Sequence, residues 1–400
     1  MFYVGIDIAK NNHEASIIND KGELLSESIL FSNSQKGCEK LLKLMERFGA
    51  TVENTVIGME ATGHYWLSVY SYLLELGYDL KVINPIQSES FRKMYIRQTK
   101  NDSIDSFNIA QIMRFGQYSA SSFSDEKTQA LRQLCRYRFA LVDECSDWKR
   151  KVIALLDTVF PEYAKLFSDT FGTSSKEVLL AYPTPEDMLA VSNDKLTELL
   201  QKASHGRFST DKASQLQEAA KNTFGVKFAK DAFAFQIKQM IEQIKFIEEQ
   251  LSELETEISK LLNEHNQVIT TIIGIGETLG AVIISEIGDI SRFDSAPKLV
   301  AFAGLDVSVS QSGQFVGTKN KISKRGSPYL RRAIWTAANR AAFADPALSE
   351  YYKSLRARGK HHLTAVGAVA RKLCNIIFAV LRDNKPYSPA LPKNLNTSSE

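Results

Sequence analysis

The order of strands and helices predicted for residues 3–113 restricts the fold of this 400-residue chain more than any other feature. Short apolar runs rich in β-branched residues predict five strands, and amphipathic runs predict two helices between them. The predicted strands are Tyr3 to Ile8, His13 to Ile18, Leu24 to Phe31, Thr55 to Met59 and Leu80 to Asn84, and the helices are Gly37 to Phe48 and His64 to Leu76. The first three strands follow one another closely, with the turn Asn19-Asp20-Lys21-Gly22 before the third, which predicts a meander.

A further helix is predicted where Lys100-Asn-Asp-Ser-Ile-Asp-Ser-Phe107 opens an amphipathic run that continues to Met113. The resulting order, three strands followed by alternating helices and strands and then this helix, is that of an RNase H-like fold. We therefore predict an N-terminal α/β domain with a mixed sheet at residues 1–123, followed by largely helical regions.

Four acidic residues stand where this fold would bring them to one edge of the sheet. Asp7 lies in the first strand, Glu60 ends the fourth, and Asp102 and Asp105 share one helical face. A carboxylate inside an apolar strand costs free energy unless it is paired or bound to a metal. Together the four carry a charge of about −4, which two Mg²⁺ ions would neutralise, as in enzymes that cleave phosphodiester bonds. The alternative is unrelated surface acids, two of them placed favourably at a helix N-terminus.

The charge of the chain is unevenly distributed. From Arg292 to Lys385 there are 17 Lys and Arg against 5 Asp and Glu, whereas the whole chain has a net charge of only +3. So basic a C-terminal third predicts a polyanionic partner. The N-terminus has no signal-peptide pattern, and the most apolar long window, Val268 to Ile287, contains two glutamates, so we expect a cytoplasmic protein without a membrane span. The four cysteines lack the spacing of a zinc site or a disulfide framework and are expected to be buried thiols.

Residues 124–266 predict a helical region without chemistry of its own. A helical pattern runs from Ser124 to Phe160, a less regular stretch follows to about residue 228, and a heptad seam then begins. The seam consists of Phe233, Ile237, Met240, Ile244, Ile247, Leu251, Leu254, Ile258 and Leu261. It could fold back on the helix of residues 124–160 or pair with another subunit, and the pattern slightly favours self-association.

Residues 267–385 carry three features that suit a nucleic-acid backbone. Gly274 and Gly276 form a Gly-X-Gly turn before a helix, in the manner of a helix-hairpin-helix, although a tight turn inside a bundle fits equally well. Ser312 stands beside Gly313 in a polar loop, where most serines are simply turn formers. A basic helix is predicted from Ser323 to Arg340, and it carries Lys324, Arg325, Arg331, Arg332 and Arg340. Residues 386–400 are expected to be a flexible tail.

An ordered set of motifs resembles a known family. The motifs are Tyr3-Val-Gly-Ile-Asp-Ile-Ala-Lys10, Glu60-Ala-Thr-Gly63, Val82-Ile-Asn-Pro85, Lys100-Asn-Asp-Ser-Ile-Asp105, Ile273-Gly-Ile-Gly276, Phe302-Ala-Gly-Leu305, Ser312-Gly313 and Ile322-Ser-Lys-Arg-Gly326. They resemble the DEDD transposases of the insertion-sequence one-hundred-ten family, which are bridge-RNA-guided serine recombinases. The resemblance covers roughly residues 1–160 and 230–385, and the stretch of about 161–228 looks like an insertion.

The resemblance implies an activity and its residues. Asp7, Glu60, Asp102 and Asp105 would be the metal ligands of a RuvC-like domain, holding one or two Mg²⁺ ions, and Ser312 would be the nucleophile of a C-terminal transposase domain. Ser312 would form a covalent phosphoserine link to DNA before strand exchange. Implied partners are donor and target DNA, a guide RNA and further copies of the chain, as a dimer or tetramer, in the nucleoid of a prokaryote.

Three other functions fit parts of the sequence. The first is an RNase H-like nuclease or Holliday-junction resolvase in which water attacks the phosphate. The second is a sugar-kinase or actin-like ATPase, although such proteins usually continue with Gly-X-Thr where Ala9 and Lys10 stand here. The third is a non-enzymatic nucleic-acid scaffold, which would leave the four acids without a role.

Overall fold

The computed structural model describes residues 1–83, 85–93, 102–116, 125–264, 268–307, 311–312, 315–316 and 321–389. The chain divides into two compact units, Met1–Ser124 and Asp125–Glu400. The first contains one five-stranded sheet, and the second is mainly helical. A mixed sheet followed by helical regions is the fold class that the sequence predicts.

The strands of the first unit are β1 (Phe2–Asp7), β2 (Asn12–Asn19), β3 (Ile29–Ser32), β4 (Thr55–Glu60) and β5 (Asp79–Ile83). Their order in the sheet is β3-β2-β1-β4-β5. β1, β2 and β3 pair antiparallel, while β1, β4 and β5 run parallel. This is the RNase H-like arrangement, and it makes β1 the central strand.

The helices of the first unit are α1 (Gln35–Arg47), α2 (Trp66–Glu75), α3 (Pro85–Arg92) and α4 (Asp102–Phe115). Alternating residues of β1 serve two separate cores, since Val4 and Ile6 share a cluster with residues of α1 and α2. Ile109, Ile112 and Met113 of α4 belong to the other cluster. The sheet is therefore covered by helices on both faces.

One local prediction for this unit was wrong, and one helix was not predicted. The third strand begins at Ile29 instead of Leu24, because Leu24 forms only an isolated bridge with Ile18. The helix that the sequence did not predict is α3, which begins at Pro85 after the end of the fifth strand. A proline suits the first turn of a helix because that position needs no N–H donor.

The second unit is built around two long antiparallel helices, α5 (Glu126–Val159) and α10 (Lys230–Asn263). Between them lie α6 (Thr173–Ala181), α7 (Pro185–Ala190), α8 (Asn193–Ser204) and α9 (Thr210–Lys221). The ends of this four-helix segment meet, because the Val226 N–H donates to the Thr158 carbonyl at 3.0 Å. A Cβ on Gly225 would lie only 1.9 Å from the Val159 carbonyl oxygen.

The heptad seam of α10 packs against α5 of the same chain. Ile237, Ile244, Ile247 and Ile258 are buried in a core cluster that they share with α5 residues such as Leu131 and Val152. The pattern slightly favoured pairing with another subunit, and the structure instead covers the seam intramolecularly. Salt bridges flank this contact, among them Arg138 with Glu255 and Lys149 with Glu248.

The remaining elements are α11 (Glu277–Ile287), α12 (Ala296–Phe302), the two-residue strands β6 (Gln311–Ser312) and β7 (Phe315–Val316), α13 (Pro328–Ala344), α14 (Pro346–Ala357) and α15 (His362–Asp383). The apolar residues of α11 to α15 join the cluster that covers α5 and α10. Within the described residues, α15 is the one helix long and apolar enough to cross a membrane, but 61% of its most apolar window is buried in this core. Burial of that kind is typical of the core helix of a globular domain.

Candidate active site

Two of the predicted acids end neighbouring strands. Asp7 is the last residue of β1 and Glu60 the last of β4, and these strands are adjacent and parallel. Their carboxyl ends therefore lie at the same edge of the sheet. The Ser88 hydroxyl of α3 donates to Glu60 Oε2 at 2.5 Å, so a helix that the sequence did not predict helps to orient this carboxylate.

The other two acids, Asp102 and Asp105, lie on α4, which packs directly against the strands. A Cβ on Gly5 of β1 would stand 2.1 Å from the Ser106 carbonyl oxygen, and one on Gly58 of β4 would stand 2.5 Å from Met113 Cγ. Only glycine leaves room for a helix at that distance. Ser106 also hydrogen-bonds to Ser16 of β2 through their buried hydroxyls, at 2.7 Å.

This contact fixes the position of the first turn of α4, which begins with Asp102 and includes Asp105. The two carboxylates stand one turn apart at the end of the helix that favours negative charge. Both interact electrostatically with Asp7. The elements β1, β4 and α4 thus bring Glu60, Asp102 and Asp105 into electrostatic range of Asp7.

The electrostatics of Asp7 reflect this convergence. The pKa of Asp7 is raised from 3.8 to about 7, first by burial and then by the charges of Asp102, Asp105, Glu60 and Glu14. Burial disfavours the ionised carboxylate, and each neighbouring negative charge disfavours it further. We call these five residues the acidic edge.

Glu14 was not among the predicted site residues. It is the antiparallel partner of Asp7 across β1 and β2, and its carboxylate accepts a hydrogen bond from Ser28. The signal available in the sequence was a glutamate within the apolar strand His13 to Ile18. Its register against Asp7 becomes visible only once the pairing of the two strands is known.

The donor set of the acidic edge suits a hard divalent cation, because every candidate ligand is a carboxylate oxygen. Asp7 with a raised pKa is a destabilised anion, which a cation would stabilise. However, within the described ranges no three His, Cys, Asp or Glu side chains lie close enough together to hold one metal ion.

Ser312 belongs to β6, and its backbone pairs with Phe315 of β7 in a short hairpin. The Ser312 side chain and the neighbouring Gly313 lie outside the described residues. The segments that flank the hairpin are well connected, since the Ser323 N–H donates to the Asp306 carbonyl at 2.8 Å and the Ser327 N–H to the Phe302 carbonyl at 2.9 Å. We call residues 302–307 and 322–327 the loop base.

The predicted basic residues fall into two groups. Arg332 forms two hydrogen bonds with the Asp143 carboxylate, at 2.7 and 2.8 Å, and stacks over Phe139 of α5. Arg331 donates to the Ala303 carbonyl at 3.3 Å. In contrast, Lys324 and Arg325 of the loop base are exposed, and the structure gives their side chains no hydrogen bond or ion pair within the described residues. The first group contributes to packing, and the second leaves its charges open to solvent.

The Gly-X-Gly turn has two different glycines. Gly274 has a φ of +97°, and a Cβ there would lie 2.8 Å from the Ala337 carbonyl oxygen of α13, so this glycine permits helix packing. Gly276 is the N-cap of α11 and has open space around it. Arg340 and the exposed side of this turn line a shallow cleft. The N-terminus of α11 and one arginine thus face the same concave surface.

Two family models match the chain. A model described as a transposase matches residues 4–161, and a model described as the transposase IS116/IS110/IS902 family matches residues 266–353. The two matches together cover more than half of the chain. The residues between them include α6 to α9.

Several proteins are similar over nearly the whole length. The pilin gene-inverting protein of Moraxella bovis is 24% identical over 386 residues, which is 96% of this chain and 97% of that protein. The 43.6 kDa protein of insertion element IS110 from Streptomyces coelicolor is 24% identical over 402 residues, with 99% and 98% covered. The transposase for insertion sequence element IS1328 from Yersinia enterocolitica is 24% identical over 391 residues, with 96% and 98% covered.

Proposed function

The chain belongs to the IS116/IS110/IS902 family of transposases, enzymes that act on DNA, and on that premise we propose that it cuts and rejoins DNA through a covalent phosphoserine intermediate. The observation that carries the proposal is the acidic edge. Asp7, Glu60, Asp102 and Asp105 come from three separate elements, and the charges of the other three act on the partly buried Asp7 carboxylate. An accumulation of charge that destabilises the free protein is typical of a functional site.

In this mechanism the four carboxylates would hold one or two Mg²⁺ ions, and the chemistry supplied by the metal would be the neutralisation of charge on a phosphodiester group. The family supports the use of a divalent metal, and the all-oxygen ligand set favours Mg²⁺ among the available ions. The raised pKa of Asp7 matters here, because near pH 7 this residue exchanges a proton readily in the absence of a cation. Glu14 would add charge without being a direct ligand.

Ser312 is the proposed nucleophile. Its hydroxyl oxygen would attack a DNA phosphorus atom, forming a P–O bond to serine while the bond to one deoxyribose oxygen breaks. The serine proton leaves to solvent or to a nearby carboxylate, and the departing sugar oxygen takes up a proton. A sugar hydroxyl of another strand then attacks the phosphoserine and restores the serine, so strands are exchanged without net hydrolysis.

This mechanism requires residues of both units in one reaction. We propose that the Ser312 hairpin acts on the same phosphate as the acidic edge, within one chain or between subunits of an oligomer. Lys324, Arg325, Arg340 and the turn at Gly276 would hold the DNA backbone. A guide RNA would supply sequence recognition by base pairing, so that the protein reads shape and phosphates.

The decisive variant is Ser312→Ala. We expect it to bind DNA and divalent cations like the wild type but to form no covalent protein–DNA adduct and no recombinant product. The adduct is detected by denaturing electrophoresis of labelled DNA after incubation with Mg²⁺. Ser310→Ala, which removes a hydroxyl from the same segment, is the matched control and should retain adduct formation. An adduct in the Ser312→Ala protein would overturn the phosphoserine mechanism and favour a nuclease in which water attacks.

A further inference from the structure

Arg292 has surroundings unlike those of the other arginines described above. Its guanidinium carbon lies over two aromatic rings that contact each other, 4.6 Å from the Phe293 centroid and 4.5 Å from the Phe302 centroid. The side chain is partly buried, and its Nε is a buried atom without a hydrogen-bond partner. Within the described residues the structure gives this guanidinium no hydrogen bond and no ion pair. The two rings therefore restrict its position, while its N–H donors have no partner in the described structure.

The nearest carboxylates are already engaged. Buried Glu286 accepts hydrogen bonds from Arg136 Nε at 2.7 Å, from Arg136 Nη2 at 3.1 Å and from the Ser327 hydroxyl at 2.8 Å. Asp289 accepts from the backbone N–H and the hydroxyl of Ser291, at 2.8 and 2.5 Å. Neither carboxylate forms an ion pair with Arg292.

A second arginine adds positive charge near Arg292. Arg132 donates through Nε to the Ser285 carbonyl at 2.7 Å, and its charge acts on Arg292. Burial and the charge of Arg132 lower the pKa of Arg292 to about 10. Asp289 and Glu286 oppose that shift only in part. An anion beside Arg292 would relieve the imbalance.

The position of Arg292 in the fold indicates which anion. Phe302, which stacks on Arg292, also accepts the Ser327 N–H through its carbonyl oxygen, and it is the first residue of the loop base. The Ser312 hairpin begins and ends at this loop base, with Val307 and Ile322 bridging its two sides. Lys324 and Arg325, which are exposed, also lie in the loop base.

We propose that Arg292 binds a phosphate oxygen of the DNA strand on which Ser312 acts. This inference rests on the proposed function for the identity of the strand, and on the geometry of Arg292 for the site. A guanidinium presents parallel N–H donors that match two phosphate oxygens, and aromatic stacking holds those donors in place before DNA arrives. DNA is favoured over a guide RNA because the site adjoins the hairpin of the proposed nucleophile.

The test compares variants of two arginines that each stack on a phenylalanine. Arg292→Met removes the charge but keeps a side chain of similar length, and Arg292→Lys keeps the charge but loses the planar fork. Arg382→Met is the matched control, because Arg382 lies 5.4 Å from the Phe378 ring but is already paired with Asp383 at 2.7 Å. Each full-length protein is measured for thermal unfolding and for affinity to a fluorescent mixed-sequence DNA duplex at several salt concentrations.

For Arg292→Met we expect a melting temperature equal to or above that of the wild type, since an unpaired buried charge is removed. DNA affinity should fall about tenfold, the worth of one charge-assisted hydrogen-bond pair. The slope of log affinity against log salt should decrease by about one, because one fewer phosphate is neutralised. Arg292→Lys should fall between the two proteins, and Arg382→Met should bind like the wild type.

Two results would overturn the inference. A lower melting temperature with unchanged DNA affinity would make Arg292 a packing residue only. An unchanged DNA affinity with weaker binding of a single-stranded RNA would assign the site to RNA. Because these measurements involve no covalent step, adduct formation by Ser312→Ala would refute the proposed mechanism without affecting the DNA-binding result for Arg292.

Discussion

The acidic edge of the first unit and Arg292 beside the loop base of the second unit carry opposite charges, and each contains a group whose pKa is shifted towards its neutral form. Asp7 is surrounded by other carboxylates, and its pKa rises to about 7. Arg292 lies against two rings near Arg132, and its pKa falls to about 10. Each shift is in the direction that discharges the group, which means that each charge is held at a cost to the isolated chain.

The long helices of the second unit show that this imbalance is local. There the charges are paired across elements, as in the salt bridges Arg138 with Glu255 and Lys149 with Glu248. Glu248 also pairs with Lys176 of α6. In this architectural region the charges are paired within the chain, whereas we expect the charges of the acidic edge and of Arg292 to be paired by bound ligands. Four predictions test this distinction, beginning with the largest effect.

The largest effect is expected for Asp105→Asn. Replacing a charged ligand by a neutral amide should abolish DNA cleavage while leaving the fold intact, because metal affinity depends on that charge and packing does not. Cleavage of labelled DNA in Mg²⁺ measures the loss, and circular dichroism checks the fold. Asp20→Asn, an exposed acid in the turn after β2, is the control and should cleave normally. Full activity of Asp105→Asn would remove it from the metal site, and Asp102→Asn should behave in the same way.

A smaller effect is expected for Asp7 on stability. The folded-state pKa of about 7 lies above the ordinary aspartate value of 3.8, so the native state binds more protons over that interval. Stability should therefore fall as pH rises from about 4 to 7, by about 2 kcal/mol after allowance for solvent screening. Hydrogen exchange of β1 amides without divalent ions, at low and at high pH, measures this change. Asp7→Asn should remove it and be the more stable protein above pH 7.

Magnesium binding provides a second test of the charges around Asp7. At a pH above 7, Mg²⁺ should slow β1 exchange in the wild type, since a cation compensates the charges of the acidic edge. Asp7→Asn should gain less protection from Mg²⁺. Equal protection in both proteins would mean that the cation binds elsewhere.

The smallest effect separates paired from unpaired cations in the C-terminal region. Lys324→Ala with Arg325→Ala should lower the salt slope of DNA binding by about two, since both side chains are exposed and unpaired. Arg331→Ala with Arg332→Ala should change the slope less and instead reduce stability by about 1–3 kcal/mol, because bonds to Ala303 and Asp143 are lost. Salt titrations of DNA binding measure the slopes of both double variants, and urea unfolding measures their loss of stability. Equal slopes would show that the intramolecular bonds of Arg332 open when DNA binds.

Much of the first unit could be predicted from the sequence. Strand periodicity located β1, β2, β4 and β5, and the parallel pairing of β1 with β4 follows from the RNase H-like order. The convergence of Asp7 with Glu60 follows in turn, because parallel strands end at the same edge. Turn-rich or proline-led segments were less predictable, since Pro85 is compatible with both a loop and a first helical turn.

Features that depend on contacts between distant residues could not be predicted. The effect of Glu14 on Asp7 requires the register of two strands, and the stacking of Arg292 on Phe302 requires the fold of the second unit. The heptad seam predicts that α10 packs against another helix but does not identify that helix. The structure shows that it is α5. The sequence likewise shows that Arg332 is charged but not what its side chain contacts. In the structure Arg332 is a packing residue because it pairs with Asp143.

The two ends of the segment from α6 to α9 lie close together, which makes this segment a suitable site for protein engineering. Val226 returns to within one hydrogen bond of Thr158, so a short linker could join α5 to α10 and take the place of the four helices. The trimmed protein would lose the salt bridge of Lys176 with Glu248 and that of Glu177 with Lys245. The same junction could accept a fluorescent reporter or a programmable DNA-binding module without lengthening the path between the two long helices.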